Sequence, residues 1–221
     1  MGLLDDLKKQ AETVRTQQVS KTAMREEMLV LVEEKMKHSF QYLSELLSHL
    51  VVLKPVNPVR FAVPGVIELK DLAFGESFID SRKSRQANAD VFDVIQLYLK
   101  WGSPASKVTI DRDMPATAQK VRDALFMVGI KFSEDEVKNA RGNIAGWRFG
   151  VEQALVTDVS IKPDREQGRL LIRAKNLTRL GIDDFAVPVV EMTEAALEEF
   201  AKTLLGHPSN FQKFRTVAPL R

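Results

Sequence analysis

The chain has 221 residues, 44% hydrophobic and 28% charged, which is enough apolar material for a sizeable core and excludes wholesale disorder. Its 32 basic and 30 acidic residues leave a formal net charge of +2, so there is little long-range attraction to nucleic acid or anionic lipid. It has no cysteine, which removes disulfides, thiolate metal sites, iron–sulfur clusters and cysteine nucleophiles together.

The chain opens on Met1, Gly2, Leu3 and Leu4 and runs straight into Asp5 and Asp6. That pattern is unlike a secretory signal, which needs a positive start and an unbroken apolar stretch. No window further on approaches the roughly 20 apolar residues of a membrane span. A cytoplasmic protein without a membrane span is expected.

The first third reads as helix. Leu3, Leu4, Leu7, Ala11 and Val14 recur at helical spacing, with Asp5 and Asp6 ahead of Lys8 and Lys9 in the order that complements a helix dipole. A polar stretch from Arg15 to Thr22 follows, either a hinge or more helix. From Met24 a stripe steps by threes and fours through Met28, Met36, Phe40, Leu43, Leu47 and Leu50, with charged residues on the other side. Pro55 and Pro58 stop it. Roughly 30 helical residues at about 1.5 Å each give a rod of about 45 Å, longer than most globular helices. Part of it is therefore expected to serve a partner.

Beyond Pro58 the period shortens. Strands are predicted at Phe61 to Leu69 and Leu72 to Ile79, with Gly75 marking a turn or bulge. Asp80 to Asp90 is polar and basic and reads as a mobile loop. Val91 to Trp101 is rich in β-branched and aromatic residues, with Lys107 to Ile110 as its hairpin partner across Gly102, Ser103 and Pro104. A helix is predicted from Pro115 to Val128, closed by Gly129, with Asp113 as the expected cap. Ser133 and Glu136 have the spacing of a capping box for another short helix. Alternation returns from Ala145 to Val151 and Leu155 to Ile161. A turn over Pro163 to Gly168 leads to a strand from Arg169 to Lys175, and Phe185 to Val190 reads as a last strand. Thr193 caps a final helix that stops at Gly206.

The fold class expected is α+β: an antiparallel sheet of about five to seven strands covered by helices, with an N-terminal helical arm. The expected division is an amphipathic helical arm over 1–54, a globular domain over 55–208 and a loosely ordered tail over 209–221.

Motifs for catalysis or cofactors are missing. Neither the dinucleotide nor the Walker-type glycine loop occurs, and there is no G-x-S-x-G elbow for an activated serine. Gly142, Gly146 and Gly150 sit four apart, but the alternation around them favours a strand. His38 and His49 share a helix face about 16 Å apart along the axis, too far to ligate one ion. Paired acids such as Glu26 and Glu27, or Asp183 and Asp184, decorate solvated faces. Asp111, Arg112 and Asp113 form the single cluster with the composition of a metal-bound phosphate site. No catalytic residue, cofactor or metal is assigned, and the balance leans away from an enzyme.

Two groups of residues remain as candidate sites. Leu3, Leu4, Leu7, Met24 and Met28 form an apolar edge for contact with a protein partner or a second copy, the leading reading. The alternatives are a small apolar ligand carrier with a pocket between helix and sheet, and a nucleic-acid-associated factor. In the last, Arg82, Lys83 and Arg85 would contact phosphates, although no nucleic-acid-binding motif accompanies them and nucleic acid is not the expected partner.

Overall fold

A computed structural model describes the backbone of residues 3–86 and 89–214; side chains are described except within 3–11, 13–21, 86 and 104–106. Its first element, helix α1 (Leu3–Leu53), spans 51 residues without interruption. The polar stretch from Arg15 to Thr22 is therefore helix, not hinge. Val32, Met36, Leu43, Leu47 and Leu50 are at most 4% exposed and form the stripe that seats α1 on the sheet. The helix ends at Leu53; Lys54 takes a left-handed φ of 45° and Pro55 cannot continue the ladder.

Strands β1 (Val56–Asn57), β2 (Phe61–Val63) and β3 (Ile67–Leu69) come next, the last two forming a separate small hairpin across Gly65 where one strand was expected. Two long strands, β4 (Leu72–Gln86) and β5 (Ala89–Arg112), pair antiparallel along their length. The basic stretch after Asp80 is thus strand rather than loop: Arg82 faces Val94, Lys83 faces Phe92 and Arg85 faces Asp90. Gly75 is the expected bulge, between Phe74 and Glu76 in the register. Lys107 to Ile110 is no hairpin partner of the residues before it. It continues β5 after a register shift between Gly102 and Lys107.

Helix α2 (Pro115–Val128) has the predicted limits, with Pro115 at its start and Gly129 left-handed at its end. Its N-cap is Met114 and makes no side-chain cap bond, so Asp113 does not cap it. Ser133 and Glu136 belong to β6 (Phe132–Lys138), a strand and not a helix start. Strand β7 (Ile144–Asp164) runs through the two segments that alternation had separated. It pairs with β5 on one side; β6 takes the first half of its other side and β8 (Arg169–Lys175) the second. Gly146 explains why two of the four-spaced glycines lie in β7, since a Cβ there would stand 2.7 Å from the carbonyl oxygen of Arg112. Strand β9 (Ile182–Pro188) completes a seven-stranded antiparallel sheet in the order β1-β4-β5-β7-β8-β9, with β6 beside β7.

The sheet is curled as a half-barrel with α1 packed on it, and the fold class is α+β as expected. Trp101 is fully buried, edge-on to Phe74 with ring centroids 5.8 Å apart, and its indole N–H donates to Thr157 Oγ1 at 3.1 Å. Thr157 in turn donates to the carbonyl of Asn176 at 2.9 Å, so the polar atoms of Trp101 and Thr157 are paired. Helix α3 (Glu194–Leu204) starts on Thr193, whose hydroxyl accepts from the Ala196 N–H, and packs beside α1. Of the expected loose tail, residues 209–214 dock: Phe211 is buried, with Phe200 and Phe185 at ring distances of 4.9 and 5.4 Å. Residues 215–221 lie outside the described residues.

Candidate association surface

The most distinctive place in the molecule is where α1 leaves the sheet. From Met28 onward it is held by three contacts at one end of the half-barrel. Glu33 Oε2 accepts from the backbone N–H of Phe92 at 2.9 Å, and Glu33 Oε1 accepts from the guanidinium of Arg165. The same guanidinium donates to the Phe92 carbonyl at 2.6 Å. Both ionised side chains are about three-quarters buried, and charge-assisted bonds in such a setting contribute about 1.5–3 kcal/mol each. Below them the turn between β7 and β8 carries Gly168, at φ +58°, against the Met28 thioether.

Toward the N-terminus the helix changes character within two turns. Residues 22–27 are all exposed, Met24 at 67%, and Val30 on the outer flank is 68% exposed. Ala23, Val30 and Leu31 line a shallow open groove on the helix surface, edged by Glu26, Glu27 and Glu34. Of the five residues expected to form the apolar edge, Met24 is exposed and Met28 is half-buried against the body. Leu3, Leu4 and Leu7 lie outside the residues whose side chains are described.

The basic triplet is not brought together. Successive strand side chains point to opposite faces, so Arg82 is parted from Lys83 and Arg85. Arg82 stands 3.9 Å from Asp93, and the Lys83 ammonium sits 4.4 Å over the Phe92 ring. Two of the three cations therefore already have partners within the chain.

Other polar clusters are equally engaged. Asp111 takes a two-pronged contact from Arg148, at 2.9 and 3.2 Å, which holds its carboxyl below the usual range. Arg112 donates instead to the backbone carbonyls of Asp111 and Gly65, at 2.9 and 3.2 Å, and an open depression lies beside the three residues. His49 is 3.9 Å from Glu45 on an exposed face. Among the described residues no three His, Asp or Glu side chains converge as a metal site, and no helix is long and apolar enough to cross a membrane.

Two depressions were not legible in the sequence because they join distant residues. A cleft of about 290 Å³ beside the end of α2 is lined by Lys100, Lys131, Lys175, Glu152 and Asp158, mixed in sign, with Lys100 3.3 Å from Glu76. A smaller one of about 140 Å³ is lined by Asp183 and His207, and Asp183 Oδ2 is buried there without a hydrogen-bond partner. Neither has α1 in its wall, so the carrier reading gains nothing from them.

The chain matches no family model, no curated protein and no solved structure. Functional reading therefore rests on its own geometry.

Proposed function

We propose that the protein is an association module whose N-terminal helix couples the α+β body to a partner protein or to a second copy. The observation that carries this reading is the contrast within α1: buried and clamped from Met28 to Leu50, exposed on every side from residue 22 to 27. A helix that has left its own body gains nothing from packing there, and short isolated helices are marginal in water. Continuous helical backbone carries residues 3–21 onward for about 28 Å more. Helix–helix or helix-in-groove contact would stabilise such a segment. Its acidic flanks and the absence of aromatics before Phe40 argue against a membrane surface.

Static light scattering of the full chain beside a chain lacking residues 1–22 tests the reading. Fewer chains per particle for the shortened chain, or loss of a co-purifying protein, is the expected result. Monomers of both, with no companion protein, would refute it. Met24→Arg in the full chain should act in the same direction without unfolding the body.

A further inference from the structure

The outer edge of β4 is a second surface, unrelated to the arm. β1 covers only its beginning, pairing Val56 with Ala73 and Asn57 with Leu72, and the Phe74 N–H reaches the Pro55 carbonyl at 2.8 Å. From Glu76 to Gln86 no strand among the described residues lies on that side. Natural edges are blunted by proline, by bulges, by very short strands or by charges turned toward the core side. This stretch has no proline; the bulge on β4 itself, at Gly75, precedes it, and the register shift between Arg82 and Lys83 places its extra residue, Asp93, on β5. On the helix-facing side Ser77, Ile79 and Ser81 are all partly exposed, and the first charge on that side is Lys83, whose ammonium lies over the Phe92 ring.

The opposite side of the strand carries Glu76, Phe78, Asp80 and Arg82, all exposed, with Phe78 52% exposed and stacked on Tyr98 at 5.8 Å. Two copies of β4 laid antiparallel about a two-fold axis through Ile79 place Glu76 of each opposite Arg82 of the other. The same register sets Ser77 opposite Ser81 and Ile79 opposite Ile79. Directly opposed side chains of an antiparallel pair stand about 4.5–5.5 Å apart at Cβ, where opposite charges attract. Moving the axis to Asp80 opposes that carboxylate to itself. Moving it to Ser81 pairs Asp80 with Arg82 but sets Ile79 against Lys83. Of these registers the one through Ile79 alone joins the Glu76–Arg82 charge pairs to an apolar pair of Ile79 with itself; it also sets Phe78 opposite Asp80, where Phe78 keeps its stacking on Tyr98 of its own chain. Within one chain Glu76 and Arg82 hold only exposed ion pairs, with Lys100 at 3.3 Å and Asp93 at 3.9 Å, which are worth little.

We infer that β4 is a self-association edge on which a second copy of this chain pairs antiparallel through Ile79, joining two half-barrels into one continuous sheet. The interface is isologous, so each substitution acts twice.

The cysteine-free chain makes the test direct, because one introduced thiol is the only one present. In the full-length protein, Ile79→Cys should form a covalent dimer under mild oxidation, while Ser77→Cys and Ser81→Cys should each stay monomeric alone and cross-link when mixed. Without any cysteine, Glu76→Arg or Arg82→Glu should each weaken dimerisation by about tenfold in sedimentation, since both symmetric contacts become like-charged. Mixing the E76R chain with the R82E chain sets opposite charges at both contacts again and should restore the dimer. Retained circular dichroism spectra separate loss of pairing from loss of fold. Cross-linking at Ser81→Cys alone in place of Ile79→Cys, failure of mixing to restore the dimer, or dimers that persist unchanged in both charge variants would each overturn the inference.

Discussion

The two halves of α1 obey the same local rules and have opposite fates. From Val32 to Leu50 five apolar side chains and Ser39 on one stripe are at most 4% exposed, and the sheet is their solvent. From residue 22 to 27 the helix is as regular, yet every described side chain faces water. Helical periodicity shows that a stripe exists and is silent about what covers it. The transition is made by tertiary contacts, Glu33 with Phe92 and Arg165, and Met28 with the turn at Gly168. These mark the boundary between helix as core and helix as arm.

The sharpest way to break the comparison is to truncate one residue from each half. Leu43→Ala removes a fully buried side chain and should cost about 2–5 kcal/mol in urea denaturation. Met24→Ala should stay within about 0.5 kcal/mol of the parent. Equal losses at the two positions would show that the outer half packs on the body after all.

A smaller effect tests the boundary itself. Gly168→Ala puts a side chain at φ +58°, a conformation that costs about 1–2 kcal/mol for a residue with a Cβ. The new Cβ would also stand 2.6 Å from the Met28 sulfur, so the thioether must swing away from the turn. In a Met28→Ala background only the backbone strain remains, and the double-mutant cycle should therefore show coupling. Additive losses would mean that Met28 does not seat the helix.

Much of this architecture was legible because it is written locally. Pro115 and Gly129 bound α2 by fixed φ at one end and a left-handed residue at the other, and no distant contact is needed to place them. Thr193 starts the last helix by accepting a side-chain cap bond, and Gly206, one residue past the C-cap Leu205, is left-handed. What could not be read is written in pairing. Ser133 and Glu136 have the spacing of a capping box, but opposite them lie Gly150 and Trp147 of β7, and the ladder decides. Ser81 to Arg85 is charged and polar, loop-like by composition, and is strand because β5 returns alongside it to the hairpin tip. Gly102 and Gly150 interrupt the apolar alternation without interrupting the strands, which β7 carries through by its pairing on both sides. The same limit applied to the candidate site. Met24 was visible as an apolar position on a helix, whereas the unpaired edge of β4 exists only once the strand order is known.

The smallest expected effect is confined to acid pH and concerns how the last helix closes. Glu199 accepts from the Lys202 ammonium at 2.7 Å and from the backbone N–H of Asn210, and these contacts hold its carboxyl down to about 2 from an ordinary 4.5. A group whose folded-state pKa is depressed contributes stability above its unfolded value and loses it as pH falls toward the folded one. The contribution of Glu199 is therefore whole above about 4.5 and fades between 4.5 and about 2. Glu199→Gln keeps an acceptor oxygen for Asn210 but has no charge to titrate. Urea midpoints should differ between parent and variant at pH 6 and draw together toward pH 2.5, because only the parent loses this interaction on acidification. The arm plays no part in it, since Lys202, Ser209 and Asn210 all sit at the far end of α3 and the Phe211 turn. A gap that stays constant across that range would show that the charge of the carboxylate contributes nothing there, and that residues 209–214 are docked by Phe211 and by the Ser209 hydroxyl on the Glu199 carbonyl.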